Sequence, residues 1–259
     1  NIYFKLTEYE KAIESFEYAI AIDEEYSTAY TNLGESNLKL KRYESSKKSF
    51  LKSLELDGPS PEIYCAIGRA YYFLEDYSTS ISYFQKSIKI DQFFKESFFW
   101  LGKSLVSLDK WFEAIHYFKK AHKFDLENIE YIKSLAFAEF KVGNMVTSIE
   151  LYDKALEIDP SDHKTSLEYS SMYYESGDID KAICIIEDAI DESPGESILY
   201  YRLVIYLMDA GKYKESINVL ESALSLNFDN HEVLFDFIPN FETQSALIRV
   251  INQYRKKNS

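Results

Sequence analysis

The sequence predicts an all-α array of stacked helix pairs, and three observations carry that prediction. One position recurs without insertion or deletion: Tyr9, Tyr43, Tyr77, Trp111, Met145, Ile179 and Tyr213 are each 34 residues apart. A strict period of this size marks a repeat architecture, in which length counts repeats and not separate cores. The eight glycines fall into three zones of a 34-residue frame that begins at Ser27. Gly34, Gly68 and Gly102 hold place 8; Gly143, Gly177 and Gly211 hold place 15; Gly58 and Gly195 close their repeats. Between these zones apolar residues recur at spacings of three and four, as in Tyr64, Ile67, Tyr71 and Leu74. That spacing lays one apolar stripe along a helix.

Residues 1–26 read as a partial, truncated repeat. Asn1 to Leu6 form the tail of a first helix, with Tyr3 at place 11, and Tyr9 to Ile22 form the second helix. Residues 27–230 are six full repeats. Each has a first helix, a turn at place 15, a second helix, and a closing turn marked by Asp57, Asp91, Asp125 and Asp159 at place 31 and by Pro160 and Pro194 at place 32. The segments between turns allow helices of roughly 13 to 15 residues. Residues 231–259 are a degenerate last repeat and a cap: Pro239, at place 9, breaks the helix that His231 to Phe237 begins. Asn240 is an N-cap candidate for a closing helix with Leu247, Val250, Ile251 and Tyr254 on one face.

Place 8 needs a small residue if the first helix of each pair crosses the second closely. The expected partner is the small residue at place 20: Gly34 with Ser46, Gly68 with Ser80, Gly102 with Ala114, Ala136 with Ser148, and Ser170 with Ala182. Glycine inside a helix costs about 1 kcal/mol against alanine, so its recurrence implies a packing reason. Val204 opposite Ser216 departs from the rule, and that pair is expected to splay slightly.

The third full repeat supplies Phe98, Leu101, Gly102, Leu105, Ala114, Phe118 and Ala121 at places 4, 7, 8, 11, 20, 24 and 27; the fourth adds Tyr152, Ala155 and Pro160. In this pattern the chain resembles the tetratricopeptide repeat family over residues 1 to about 230. The resemblance implies a right-handed superhelical solenoid of antiparallel helix pairs, with a concave groove lined mainly by first helices.

Composition removes several function classes. Hydrophobic residues make up 46% and aromatics 16%, too apolar for a disordered chain. The longest largely apolar run, Ser197 to Met208, is interrupted by Arg202 and is too short to span a membrane. The net charge of −14 opposes nucleic acid and anionic membrane surfaces as partners. Cys65 and Cys184 read as separated apolar fillers. They leave the compartment unassigned, with the cytoplasm slightly favoured. His116, His122, His163 and His231 form no metal-binding or HExxH-like spacing, and every glycine belongs to the repeat, so no phosphate loop remains. Neither a catalytic residue nor a metal or cofactor is expected, and the chain reads as a non-enzyme.

The resemblance implies that places 2, 5, 9, 12 and 13 of the first helices face the groove. Those columns put Arg69, Lys103 and Lys133 among Tyr72, Phe99, Phe137 and Phe140, with Glu62, Glu96 and Glu130 at place 2. Cations beside aromatic surface suit an extended peptide with a carboxylate and apolar side chains, in a groove whose local charge runs against that of the whole chain. The alternative is that the place-12 aromatics pack between repeats and the cations pair with the acidic ladder. Neither the lysine–asparagine clamp of co-chaperone members nor the asparagine ladder of protein-glycosylating members is present in these columns. Two functions follow: a protein–protein interaction module that binds a partner's peptide in its groove, or an assembly scaffold working through convex faces, ends or self-association. Trp100, at place 6, discriminates between them by its exposure.

Overall fold

The computed structural model describes residues 2–237 and 245–258. Among the described residues every regular element is helical. In chain order these are α1 (Ile2–Ile22), α2 (Ser27–Lys39), α3 (Tyr43–Asp57), α4 (Pro61–Phe73), α5 (Tyr77–Ile90), α6 (Lys95–Val106), α7 (Trp111–Phe124) and α8 (Ile129–Lys141). There follow α9 (Met145–Ile158), α10 (His163–Glu175), α11 (Ile179–Glu192), α12 (Ser197–Asp209), α13 (Tyr213–Leu226), a 3₁₀ turn (Phe228–Glu232), α14 (Val233–Phe237) and α15 (Ser245–Asn258). The chain divides into two compact units, Asn1–Val142 and Gly143–Ser259. Within each unit helices adjacent in sequence pack on each other, so the fold is all-α and built of antiparallel helix pairs.

The turn at place 15 is left-handed in all six full repeats. Gly143, Gly177 and Gly211 have φ of 87°, 88° and 74°, and Lys41, Glu75 and Asp109 adopt φ of 59°, 63° and 56°. The next amide returns to the helix: Asp76 N–H donates to Tyr71 O at 3.0 Å, and Lys110 N–H to Leu105 O at 2.9 Å. This bond spans six residues and, with the left-handed residue, satisfies the orphan carbonyls of the helix end. Thr7 holds the same place in the first segment, and there the structure differs from the expected two helices. A β-branched residue disfavours positive φ, and α1 runs unbroken from Ile2 to Ile22.

At place 8 the decisive neighbour is an aromatic ring. A Cβ built on Gly34 would lie 2.5 Å from Phe50 Cε1, on Gly68 2.6 Å from Phe84, and on Gly102 2.6 Å from Phe118. All three rings, at place 24, are essentially fully buried. The expected partner at place 20 is also there in the second repeat, where buried Ser80 Oγ donates to Gly68 O at 2.8 Å. In the second unit places 8 and 24 hold Ser170 with Ile186 and Val204 with Leu220, all fully buried. Val204, much larger than glycine, is accommodated with no exposure.

At the end of the second unit α15 lies on α13 and buries Leu247 and Ile251. Phe228 stacks on Tyr254 with ring centroids 6.0 Å apart. His231 is buried in the 3₁₀ turn, which precedes the short α14. The expectations at Pro239 and Asn240 lie outside the described residues.

Gly102→Leu should destabilise the chain by about 3 kcal/mol, because the core ring of Phe118 has no room to retreat; an unchanged melting temperature would refute the close crossing. Glu75→Gly should instead stabilise by about 1 kcal/mol, since it relieves a left-handed side chain at an exposed turn. Chemical denaturation of the two variants beside the parent chain reads both effects.

Candidate binding surface on the first helices

All seven residues expected to line the groove belong to the first unit, on α4, α6 and α8. The structure gathers four of them, Arg69, Tyr72, Phe99 and Lys103, around Trp100. Its ring meets Tyr72 edge-on at 5.3 Å between centroids and Phe73 at 5.7 Å. The Arg69 guanidinium lies 5.6 Å from the Trp100 ring centroid and Lys103 Nζ 5.4 Å from it. Trp100 is half-buried, held between α4 and α6 by these contacts. Indole with its negative π face is the strongest aromatic partner for a cation, so this arrangement fixes both long side chains.

Phe99 reaches Trp100 from the core, and the remaining expected residues are placed differently. Phe99 is only 5% exposed and packs on Tyr131 and Phe118, with centroids 4.8 and 5.9 Å away. Lys133 is 7% exposed, with Nζ 3.3 Å from Glu130 Oε2. Both stand at place 5, where Cys65 and Tyr201 are buried too. This column belongs to the packed interior and not to an open wall: α6, for example, packs on both α5 and α7, so the buried arc is wider than one stripe. Phe137 and Phe140 are half-buried in a separate cluster, where Lys141 Nζ lies 5.1 and 5.2 Å from their rings and Trp111 meets Phe137 edge-on.

Electrostatically the surface is mixed. Arg69 Nη1 donates to Glu35 Oε1 at 3.0 Å, its Nη2 approaches Oε2 at 3.5 Å, and Lys103 Nζ is 3.9 Å from Glu130 Oε1. Two carboxylates, Glu35 and Glu130, face the three cations, so the local positive charge is partly neutralised within the surface itself. Glu35 and Arg69 occupy the same place in consecutive repeats, and the 34-residue spacing made that pairing legible. Lys141 and the central position of Trp100 were not, since they depend on which rotamers the neighbouring helix permits.

Cys65 sits beneath this surface. Burial, the largest influence, pushes its thiol up to about 12, against the opposing effects of a Ser97 hydrogen bond and the Arg69 charge. The folded chain thus holds this proton more tightly than the unfolded one. The stability linked to it is complete below the ordinary thiol value of 9.0 and is lost as pH rises towards about 12. At pH about 8 a thiol reagent should label exposed Cys184 quickly and reach Cys65 only on unfolding; equal labelling rates would show that this part of the core opens.

Among the described residues no helix is long and apolar enough to cross a membrane, and no group of three or more His, Cys, Asp or Glu is placed to hold a metal ion.

Comparison with known proteins finds repeats. The tetratricopeptide repeat model matches residues 27–59, 61–94 and 198–230, and a TPR repeat model matches residues 1–41. Over 74 residues, 29% of the chain, the sequence is 34% identical to Superkiller protein 3 of Saccharomyces cerevisiae, and the match spans 5% of that protein's length. Among solved structures, a chain of the APC/C hetero-tetramer Cut9–Hcn1 superposes with TM-score 0.66 at 12% identity, covering 95% of this chain and 46% of that one. Pseudomonas aeruginosa pilF gives 0.63 at 17% identity, covering 79% and 93%. YrrB, described as a TPR protein with an unusual peptide-binding site, gives 0.54 at 22% identity, covering 70% and 94%. At these identities the likeness shows the fold.

Proposed function

We infer from the tetratricopeptide repeat family, to which the chain belongs, that it is a protein–protein interaction module that binds a peptide segment of a partner on its first helices. The observation that carries the finer reading is the half-buried Trp100, flanked by Arg69 and Lys103 with Tyr72 against its edge. An apolar side chain of the peptide lies on the indole, and a peptide carboxylate bonds the cations. Lys103 is the easier of the two to recruit. Its 3.9 Å separation from Glu130 is at the limit of an ion pair, whereas Arg69 must exchange the two-point contact with Glu35. Phe99 and Lys133 support the surface from below by packing and by holding Glu130. Phe137 and Phe140 extend it along α8. The reading is of a non-catalytic protein. That YrrB carries a peptide-binding site on the same fold supports it.

A displayed library of random short peptides, selected on the full chain, tests this. Peptides that bind through this surface should carry an acidic residue near an aromatic or long aliphatic one. They should lose at least about tenfold in affinity on Arg69→Glu with Lys103→Glu, and on Trp100→Ala, the scale expected for removing a central aromatic anchor. Selected peptides that bind all variants equally would place recognition elsewhere.

A further inference from the structure

Successive second helices leave a cleft between them, and three such clefts can be compared position by position. One lies between α5 and α7, measures about 570 Å³ and is lined by Lys89, Lys120, Lys123, Phe93, Phe98 and Phe124 together with Gln85, Ile88 and Gln92. The others belong to the second unit, one of about 520 Å³ between α11 and α13 and one of about 240 Å³ between α9 and α11. The apolar residue at place 28 is kept in all three, as Ile88, Leu156 and Ile190. The charge is not. Place 25 reads Gln85, Asp153, Glu187, and place 26 on the facing helix reads Lys120, Asp188, Ser222. The fold makes the cleft, and the sequence makes it basic between α5 and α7 while its counterparts in the second unit carry acids.

Three further facts separate this cleft from ordinary solvated surface. Among the described residues none of its lining side chains is a carboxylate and none of its three lysines is in an ion pair. The nearest turn acids are committed: Asp91 accepts from Phe93 N–H at 2.8 Å, and Asp125 accepts from Lys95 at 2.7 Å. Lysines in a last helical turn complement the helix dipole, but α9, α11 and α13 carry no basic residue in theirs, so the fold does not require them. Finally, the walls are aromatic and open. Phe93 is 73% exposed and meets Phe124, 39% exposed, edge-on at 5.7 Å, above the buried ring of Phe98, over which Lys120 Nζ stands at 5.4 Å.

We propose that the cleft between α5 and α7 is a second docking site, which takes an acidic segment of a partner protein carrying an aromatic or long aliphatic anchor. The anchor fills the space between Phe93 and Phe124 on the Phe98 floor, and flanking carboxylates bond Lys89, Lys120 and Lys123. Charge complementarity selects this occupant. An isolated basic, aromatic-walled cleft on a chain of net charge −14 attracts a short acidic segment locally, while the summed field opposes a long polyanion.

The same displayed library, selected on the full-length chain, separates the two surfaces. A class of peptides rich in Asp, Glu, Phe and Leu is expected to lose at least about tenfold in affinity on Lys120→Glu with Lys123→Glu, and several-fold on Phe93→Ser. That class should bind Arg69→Glu with Lys103→Glu as it binds the parent chain, and weaken as salt is raised. All the substituted residues are at least partly exposed, and circular dichroism confirms that each variant is folded. Three results would overturn the proposal: no selected peptide depends on Lys120 and Lys123; the dependent peptides depend equally on Arg69 and Lys103; or an oligothymidine displaces them at the same concentration as unlabelled peptide, which would make the cleft a general polyanion site. Loss of the first-helix class alone, with this class retained, would defeat the groove reading and leave this one standing.

Discussion

Each helix pair of the first unit is registered by a glycine pressed against a phenyl ring. In three successive repeats the backbone at place 8 comes so near the ring at place 24 that a single added carbon would lie 2.5–2.6 Å from it. Close-packed interiors cannot absorb such an overlap without shifting a helix. The glycine gives up some helical stability, and the ring it admits is buried almost completely. Because the same contact recurs in the same frame, residues one period apart become lateral neighbours. That is how Glu35 and Arg69 meet. In the second unit places 8 and 24 hold Ser170 with Ile186 and Val204 with Leu220, so a larger residue at place 8 there goes with a non-aromatic one at place 24.

Much of the architecture was legible because glycine and apolar spacing report backbone constraints directly. The turns at Gly143, Gly177 and Gly211 are the plain case. The same turn at Lys41, Glu75 and Asp109 carries no local signal, and only the period reveals it. Thr7 shows the reverse, since the period alone implies a turn that a β-branched residue resists, and α1 is continuous. The candidate surface was less legible. A single-helix stripe does not reveal that a first helix is packed from two sides, so Phe99 and Lys133 looked like wall residues and are core. Charge columns likewise show which residues are cations but not which carboxylates reach them, as Glu35 and Glu130 do.

Function in such a chain is written as side chains on a repeating geometry. The first helices of the first unit carry an indole between two cations, each paired with a carboxylate; on the proposed reading a peptide enters this surface by exchanging ion pairs. Among the described residues the cations of the cleft between α5 and α7 have no such counter-ions, and its aromatic walls are open. As proposed docking sites the two surfaces differ in what binding must displace: ion pairs at the first, water at the second. The two proposed sites thus predict different salt sensitivities on one unchanged fold.

The measurement that bears most directly on this account is a double-mutant cycle on Gly68→Ala and Phe84→Leu, read by denaturant unfolding. The gain in helix propensity from alanine appears in both arms and cancels, so the cycle isolates the contact itself. If place 8 and place 24 share one volume, the double variant will be more stable than the sum of the single losses predicts, with a coupling of about 1 kcal/mol or more. Additive losses would mean that the glycine and the ring are independent and that something else sets the register of the helix pairs.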